Sequence, residues 1–198
     1  MDIWNWVEKL QGDLRQAGQA QNAHLLNRLA DEVSELRVDR VDALLPEARA
    51  LGKALDNPWV DVYVGHWALR NRVGNRVEGE SALGEAVALF ERAHREDTLE
   101  CPQSICVTQD LAACYGNIDG PGWVPERIEV CDETLARINP GWACFQCLSC
   151  EKADALLDDG RGQDALDYLQ VQSDAIEACG KEVFDSLSLI HISERAGK

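Results

Sequence analysis

The chain has 198 residues, 45% hydrophobic and 27% charged, a balance typical of a globular protein with one well-formed core. Its formal net charge of −16 would repel nucleic-acid phosphates and attract a basic protein or peptide, although it also fits a role in solubility alone. No apolar run approaches the ~18 residues that cross a bilayer. The segment MDIWNWVEKL lacks the basic region and apolar stretch of a secretory signal, so we expect a cytoplasmic protein without membrane contacts.

Helical periodicity runs through residues 1–56. Apolar residues recur every three or four positions in three successive stretches, which predicts three amphipathic helices. The residues concerned are Trp4, Val7, Leu10 and Leu14, then Leu25, Leu26, Leu29, Val33 and Leu36, and finally Val41, Leu44, Leu45, Ala48 and Leu51. We place Pro46 in the first turn of the third helix, where its missing N–H costs nothing. These residues are predicted to form an N-terminal helical region.

Six more helices are predicted in residues 57–186, arranged in pairs. Asp56 or Asn57, followed by Pro58, marks the start of the first helix. The polar segment VGNRVEGES separates it from a helix in ALGEAVALFERAHRE. A helix over about 103–116 and one that ends at ARINP follow, and then helices over about 141–157 and 163–178. Each pair occupies roughly 40 residues, a period typical of stacked helical repeats.

The segment EKADALLDDGRGQDALDYL resembles a tetratricopeptide repeat in its small, bulky and turn positions. The matching residues are Ala153, Leu156, Gly160, Ala165 and Leu169. GEAVALFERAHRED is similar at Ala86, Phe90 and Ala93, and LARINP resembles the end of such a repeat. The resemblance covers about residues 58–180, but the middle unit has Arg127 or Ile128 where the family prefers alanine.

The resemblance implies an all-α fold, with a short solenoid on which residues 1–56 pack. It also implies a non-enzymatic scaffold without a cofactor, which would hold a protein or peptide in a groove lined by the first helices of the repeats. Nothing in the sequence argues for an enzyme. His24, His66 and His94 lie on different predicted helices, and no phosphate-binding or dinucleotide motif is present.

Two sets of residues are candidates for binding a partner. Trp59, Tyr63 and Trp67 follow at steps of four and share one helical face, either as an aromatic wall of the groove or buried against neighbouring helices. Basic residues form a second set, consisting of Arg70, Arg72 and Arg76, with Arg92 and Arg95 on the following helix. They are suited to clamping carboxylates, or else they pair with local acids such as Glu78 and Glu80.

Cys144, Cys147 and Cys150 have the spacing of a metal or cluster motif within a helix-forming stretch. Cys144 and Cys150 would be ~9 Å apart along a helix, so one ion cannot bind all three unless the helix unwinds. Without a secretory signal we interpret the eight cysteines as reduced thiols. Packing is the favoured role of the three, and a metal- or redox-responsive protein is the alternative.

The acidic charge suggests a basic partner, and an immunity or antitoxin-like protein that neutralises a basic toxin is a sharper version of the scaffold hypothesis. Residues 187–198 break the repeat pattern, and the segment at 187–193, LSLIHIS, resembles a translated sequencing adapter. We therefore expect the native sequence to stop near Ser186. A solenoid cut there would expose its last helix and be prone to self-association.

Overall fold

The computed structural model describes residues 4–119 and 123–183, and this part of the chain is helical without a strand. The helices are α1 (Asn5–Gln16), α2 (Ala20–Ser34), α3 (Val38–Leu55), α4 (Pro58–Arg70), α5 (Glu80–Ala93), α6 (Gln103–Gly116), α7 (Val124–Leu135), α8 (Ala143–Asp158) and α9 (Gly162–Ala178). A π-helical turn, Asn71–Asn75, directly continues α4. The all-α prediction is confirmed for these residues, whereas the predicted non-native tail at 187–198 lies outside them.

Each helix packs on its neighbours in sequence, and a second set of contacts joins alternate helices. α2 contacts α4, α4 contacts α6, and α6 contacts α8. We group the helices in chain order as four pairs, α2–α3, α4–α5, α6–α7 and α8–α9, and α1 packs on α2. The N-terminal region supplies the first of these pairs, and both of its helices contact α4. None of the described helices combines the length and apolarity that a membrane crossing requires.

The N-terminal helices share one core with α4. Leu26, Leu29, Val41 and Val60 are almost completely buried in it, and the Tyr63 hydroxyl donates a hydrogen bond of 3.0 Å to the carbonyl of Leu26. Burial of such apolar side chains is the main source of stability in a domain of this size. α1–α3 and α4 are therefore parts of one continuous packing unit.

The prediction for Pro46 is wrong, because this residue lies inside α3 rather than in its first turn. A proline at this position cannot donate to the carbonyl of Asp42 and is normally costly within a helix. α3 nevertheless begins at Val38, which places Val41 and Leu44 in the core shared with α4. We infer that burying these side chains offsets the lost backbone hydrogen bond.

The turns within successive pairs are joined by asparagine side chains. Asn71 and Asn75, in the π-helical turn, donate to the carbonyls of Val38 and Val33 at 3.3 and 3.0 Å. In the same way, Asn117 donates to the carbonyl of Val73 at 2.9 Å. The turns of the first three pairs consequently lie side by side along one edge of the molecule.

A buried polar contact joins α4 to α6. The Asp110 carboxylate is fully buried, and its Oδ2 lies 2.6 Å from Nδ1 of His66. Its Oδ1 lies 3.6 Å from a guanidinium nitrogen of Arg70 and makes no hydrogen bond. Because α6 contacts four other helices, this charge lies at the centre of the helix packing.

Candidate partner-binding edge

The aromatic residues singled out in α4 lie against the N-terminal helices. Trp59 packs edge-to-face with Trp6 at 5.5 Å between ring centroids, and Trp67 stacks on Trp4 at 6.0 Å. Tyr63 and Trp67 are buried, and Trp59 is half-buried. Of the two interpretations, burial describes this placement. The N-terminal helices cover the rings, and Trp59 also contacts the next pair, since its indole N–H donates to the carbonyl of Asp97 at 3.1 Å and its ring packs near Ala93 of α5. A groove lined by these rings stays a prediction.

The predicted basic residues are engaged by acids. Arg70 lies beside Asp110, and Arg76 pairs with Asp42. Arg72 bridges two carboxylates, Glu85 at 2.7 Å and Glu78 at 2.6 Å. The hydrogen bond from Arg72 lowers the pKa of Glu78, as expected for a paired carboxylate. This placement matches the local pairing that was the alternative to a ligand clamp.

The three cysteines of the candidate metal motif lie along α8 and do not converge. Cys144 is buried, with its sulfur 3.7 Å from that of Cys106 on α6. Cys147 and Cys150 are half-buried, and burial raises the pKa of both thiols, that of Cys150 to about 11. In the parts of the chain that the structure describes, no group of three or more His, Cys, Asp or Glu side chains is arranged to hold a metal ion.

The edge formed by the turns within helix pairs exposes large apolar side chains. Leu36 follows α2, Val77 follows the π-helical turn, and Trp123 precedes α7, with exposed fractions of 68%, 63% and 43%. All three have a left-handed backbone, with φ of 57°, 55° and 50°. The fourth pair has Gly160 at its turn, also left-handed. We call these four positions, Leu36, Val77, Trp123 and Gly160, the turn edge.

Leu36 occupies a position where this chain elsewhere uses glycine. The N–H groups of Leu36 and Arg37 donate to the carbonyls of Val33 and Glu32, a pattern that closes the end of α2. The helices α1, α8 and α9 end with the same pair of hydrogen bonds, and there the left-handed residue is Gly18, Gly160 and Gly180. Side chains with a Cβ are strained in this conformation, by roughly 1–2 kcal/mol.

A row of carboxylates accompanies the turn edge. The second helix of every pair has one acid in its first turn, and these acids are Asp39, Glu80, Glu126 and Asp164. Each follows its turn-edge residue by three or four positions. Acids at a helix N-terminus are favourable for the helix itself. Their repetition also places a carboxylate beside each turn, and that of Asp164 pairs with Arg161 at 2.8 Å.

Sequence reasoning missed this edge. Leu36 was assigned to the apolar face of the second helix, and Val77 and Trp123 were not singled out. One signal was available for Leu36, since it stands just after a helix at a position where Gly18 and Gly160 stand in other helices. Val77 comes just after the π-helical turn, and no sequence pattern predicted that turn.

Comparison with known proteins identifies no relative of this chain. The chain matches no model of a protein family, no curated protein and no solved structure. The function is therefore argued from the geometry of the site itself.

Replacing Leu36 with glycine should raise the free energy of unfolding by about 0.5–1 kcal/mol, because the left-handed backbone is relieved and little packing is lost. Gly160→Ala should lower it by about 1 kcal/mol, since an added Cβ meets no atom within 4 Å and only the backbone is strained. Urea denaturation of both variants measures the two effects. Val171→Ala, at an exposed site within α9, serves as the control. A loss of stability in Leu36→Gly would mean that Leu36 is held by packing.

Proposed function

We propose that this protein is a non-enzymatic scaffold, a short tetratricopeptide-like array, that binds a basic, apolar-bearing protein segment along its turn edge. One observation carries the proposal: three successive turns each expose a bulky apolar side chain on a backbone that favours glycine. At Leu36 and Val77 most of the side chain stays exposed in the free protein, so little burial offsets this strain, whereas the Trp123 ring also stacks on Tyr115 at 5.5 Å between centroids. Strained positions cluster at functional sites. A partner that covers these side chains would supply the missing burial.

The chemistry of the partner follows from the charges beside the apolar groups. The acids that begin α3, α5, α7 and α9 attract lysine and arginine, and the net charge of −16 adds long-range attraction. Leu36, Val77 and Trp123 in turn favour leucine-like or aromatic side chains. We therefore expect a segment in which apolar residues alternate with basic ones. The immunity or antitoxin role is the form of this proposal in which that segment belongs to a toxin.

The test uses a triple variant, Leu36→Gly, Val77→Gly and Trp123→Gly, as bait beside the unchanged protein and Val171→Ala. Proteins retained from the native cell are identified, and the purified partner is titrated by calorimetry. The triple variant should bind at least about 150-fold more weakly, since the three side chains removed contribute roughly 3 kcal/mol or more together. The affinity for the unchanged protein should also fall as salt rises from about 50 to 500 mM, because the charges are screened.

Circular dichroism and urea denaturation distinguish lost binding from unfolding. Glycine is favoured at Leu36 and Val77, whereas Trp123→Gly also removes a ring that stacks on Tyr115 at 5.5 Å between centroids. Val171 is as exposed as Val77 but lies within α9, so Val171→Ala should bind like the unchanged protein. The proposal is overturned if the triple variant binds the partner with full affinity. It is also overturned if the retained partner presents an acidic surface or if its affinity does not depend on salt.

A further inference from the structure

Cys106 on α6 and Cys144 on α8 form a pair of buried thiols between the first helices of the last two helix pairs. Their sulfur atoms lie 3.7 Å apart, with exposed fractions of 9% and 6%. Cys101, Cys114 and Cys131 are also buried. Cys131 belongs to the same apolar cluster as the pair, and the Cys114 thiol donates to the carbonyl of Gly79. The pair bridges 38 positions in sequence and joins helices that are in direct contact.

The two thiols differ in their tendency to ionise. A hydrogen bond from Cys106 lowers the pKa of Cys144, whereas its contact with Cys144 and burial raise the pKa of Cys106. The thiolate is the reactive form of cysteine, and the contact between the two sulfurs, in which either can be the hydrogen-bond donor, stabilises the thiolate of the one that loses its proton. A reactive thiolate next to a second thiol is the arrangement that resolves an oxidised cysteine as a disulfide.

We propose that Cys106 and Cys144 are a reversible disulfide site, oxidised by a small peroxide, that links α6 to α8. In the first step the thiolate of one of the two cysteines attacks one peroxide oxygen, the O–O bond breaks, and the departing oxygen leaves as water after taking a proton. That cysteine is then a sulfenic acid. In the second step the sulfur of the other cysteine attacks the sulfur of the sulfenic acid, the S–O bond breaks, and the hydroxyl leaves as water with the proton of the attacking thiol. Two thiols and one hydrogen peroxide thus give one disulfide and two waters.

The sulfurs need only a short approach. A disulfide bond is ~2.05 Å long, so the distance must shorten by ~1.7 Å, which side-chain rotation and small helix shifts supply. The disulfide would link α6 to α8, two helices that do not follow each other in sequence. Oxidation would therefore restrict the relative movement of the last two helix pairs.

The limited exposure of the two thiols favours a small oxidant. A pocket of about 180 Å³ adjoins their apolar cluster, since Ile105 and Ile138 line the pocket and belong to that cluster, although of the cysteines Cys101 lines the pocket and the pair does not. A peroxide molecule is only slightly larger than water, which occupies ~30 Å³ in the liquid. A bulky disulfide such as oxidised glutathione would have to open the helix packing to reach thiols that are 9% and 6% exposed, so a peroxide is the favoured oxidant.

The test exposes the reduced full-length chain to hydrogen peroxide at roughly equal concentration and maps the products by mass spectrometry under non-reducing conditions. We expect a cross-link between Cys106 and Cys144 with the loss of two hydrogens, reversed by dithiothreitol. Fragment sequencing is needed, because Cys147 and Cys150 lie close to Cys144 in sequence. Oxidised glutathione should form the cross-link at least about tenfold more slowly.

Two variants test whether each sulfur resolves the other. In Cys106→Ala and in Cys144→Ala the remaining cysteine has no partner, so its sulfenic acid should be trapped by dimedone, whereas the unchanged protein should give the disulfide with little adduct at either position. The proposal is overturned if Cys106 and Cys144 remain reduced in the folded protein while other cysteines are oxidised, or if the unchanged protein gives dimedone adducts at these two cysteines instead of the cross-link. The mapping of the unchanged protein decides the first point even if a variant fails to fold.

Discussion

Replacing Asp110 with alanine should lower the free energy of unfolding by about 3 kcal/mol, because the change leaves two polar groups without their buried partner. His66 loses the carboxylate 2.6 Å from its Nδ1, and the neighbouring guanidinium of Arg70 loses its charge partner. The effect lies at the lower end for a broken buried pair, since the Arg70 side chain is 35% exposed and can turn towards water. Urea denaturation at pH 7 measures it.

The matched control for Asp110 is Asp132→Ala. Asp132 also pairs with a cation, Lys152 at 2.5 Å, but its side chain is 50% exposed. An exposed pair of this kind contributes less than about 1 kcal/mol. Asp110→Asn should recover part of the stability, since its amide oxygen still accepts a hydrogen bond from His66. If Asp110→Ala and Asp132→Ala lowered the free energy of unfolding equally, burial of the Asp110 contacts would have no energetic consequence.

Replacing Glu151 with glutamine should make the protein more stable above pH 7 by about 2 kcal/mol, with little change near pH 4.5. Burial in α8 raises the pKa of Glu151 from its ordinary 4.5 to about 7, and the hydrogen bond from Gln109 at 3.3 Å only partly opposes this shift. The folded protein therefore binds the proton more tightly than the unfolded chain. The resulting stability is fully present below pH 4.5 and is lost as the pH rises through 7.

The measurement is urea denaturation at several pH values between 4.5 and 8, with the variant compared to the unchanged protein at each pH. Comparing the two cancels the contributions of other titrating groups. Glu129→Gln, at an exposed site on α7, is the control and should leave the difference flat. A stability difference for Glu151→Gln that does not grow between pH 4.5 and 8 contradicts the raised pKa.

Most helices were predictable from sequence because their signals are local. The apolar period located α6 within the predicted range, and Asn57 caps α4 as expected, with its side chain accepting from the Trp59 N–H at 3.0 Å. Pro46 was misplaced because a local rule about proline was applied where burial of Val41 and Leu44 decides the start of the helix. The local sequence preference of a residue does not decide its structure where packing against residues distant in sequence contributes more free energy.

The candidate sites were less predictable, because they depend on contacts between distant parts of the chain. Periodicity shows that Trp59 and Trp67 share a face, but not that Trp6 and Trp4, from the other end of the N-terminal region, cover them. The spacing of the cysteines in α8 suggested that these neighbours in sequence act together, whereas the sulfur of Cys144 contacts that of Cys106 on another helix. The left-handed backbone of Val77 and Trp123 is a property of turns whose conformation the adjoining helices impose.

The asparagine bonds between turns have a consequence for the thermodynamics of association. Asn71, Asn75 and Asn117 hold the backbone of adjacent turns at fixed separations before any partner arrives. A surface that is already ordered loses little conformational entropy when it is covered, so more of the contact energy remains as affinity. If the turn edge binds a segment as we propose, breaking one of these bonds would weaken that binding mainly through a larger entropic penalty, visible in calorimetry, even though no asparagine needs to touch the segment.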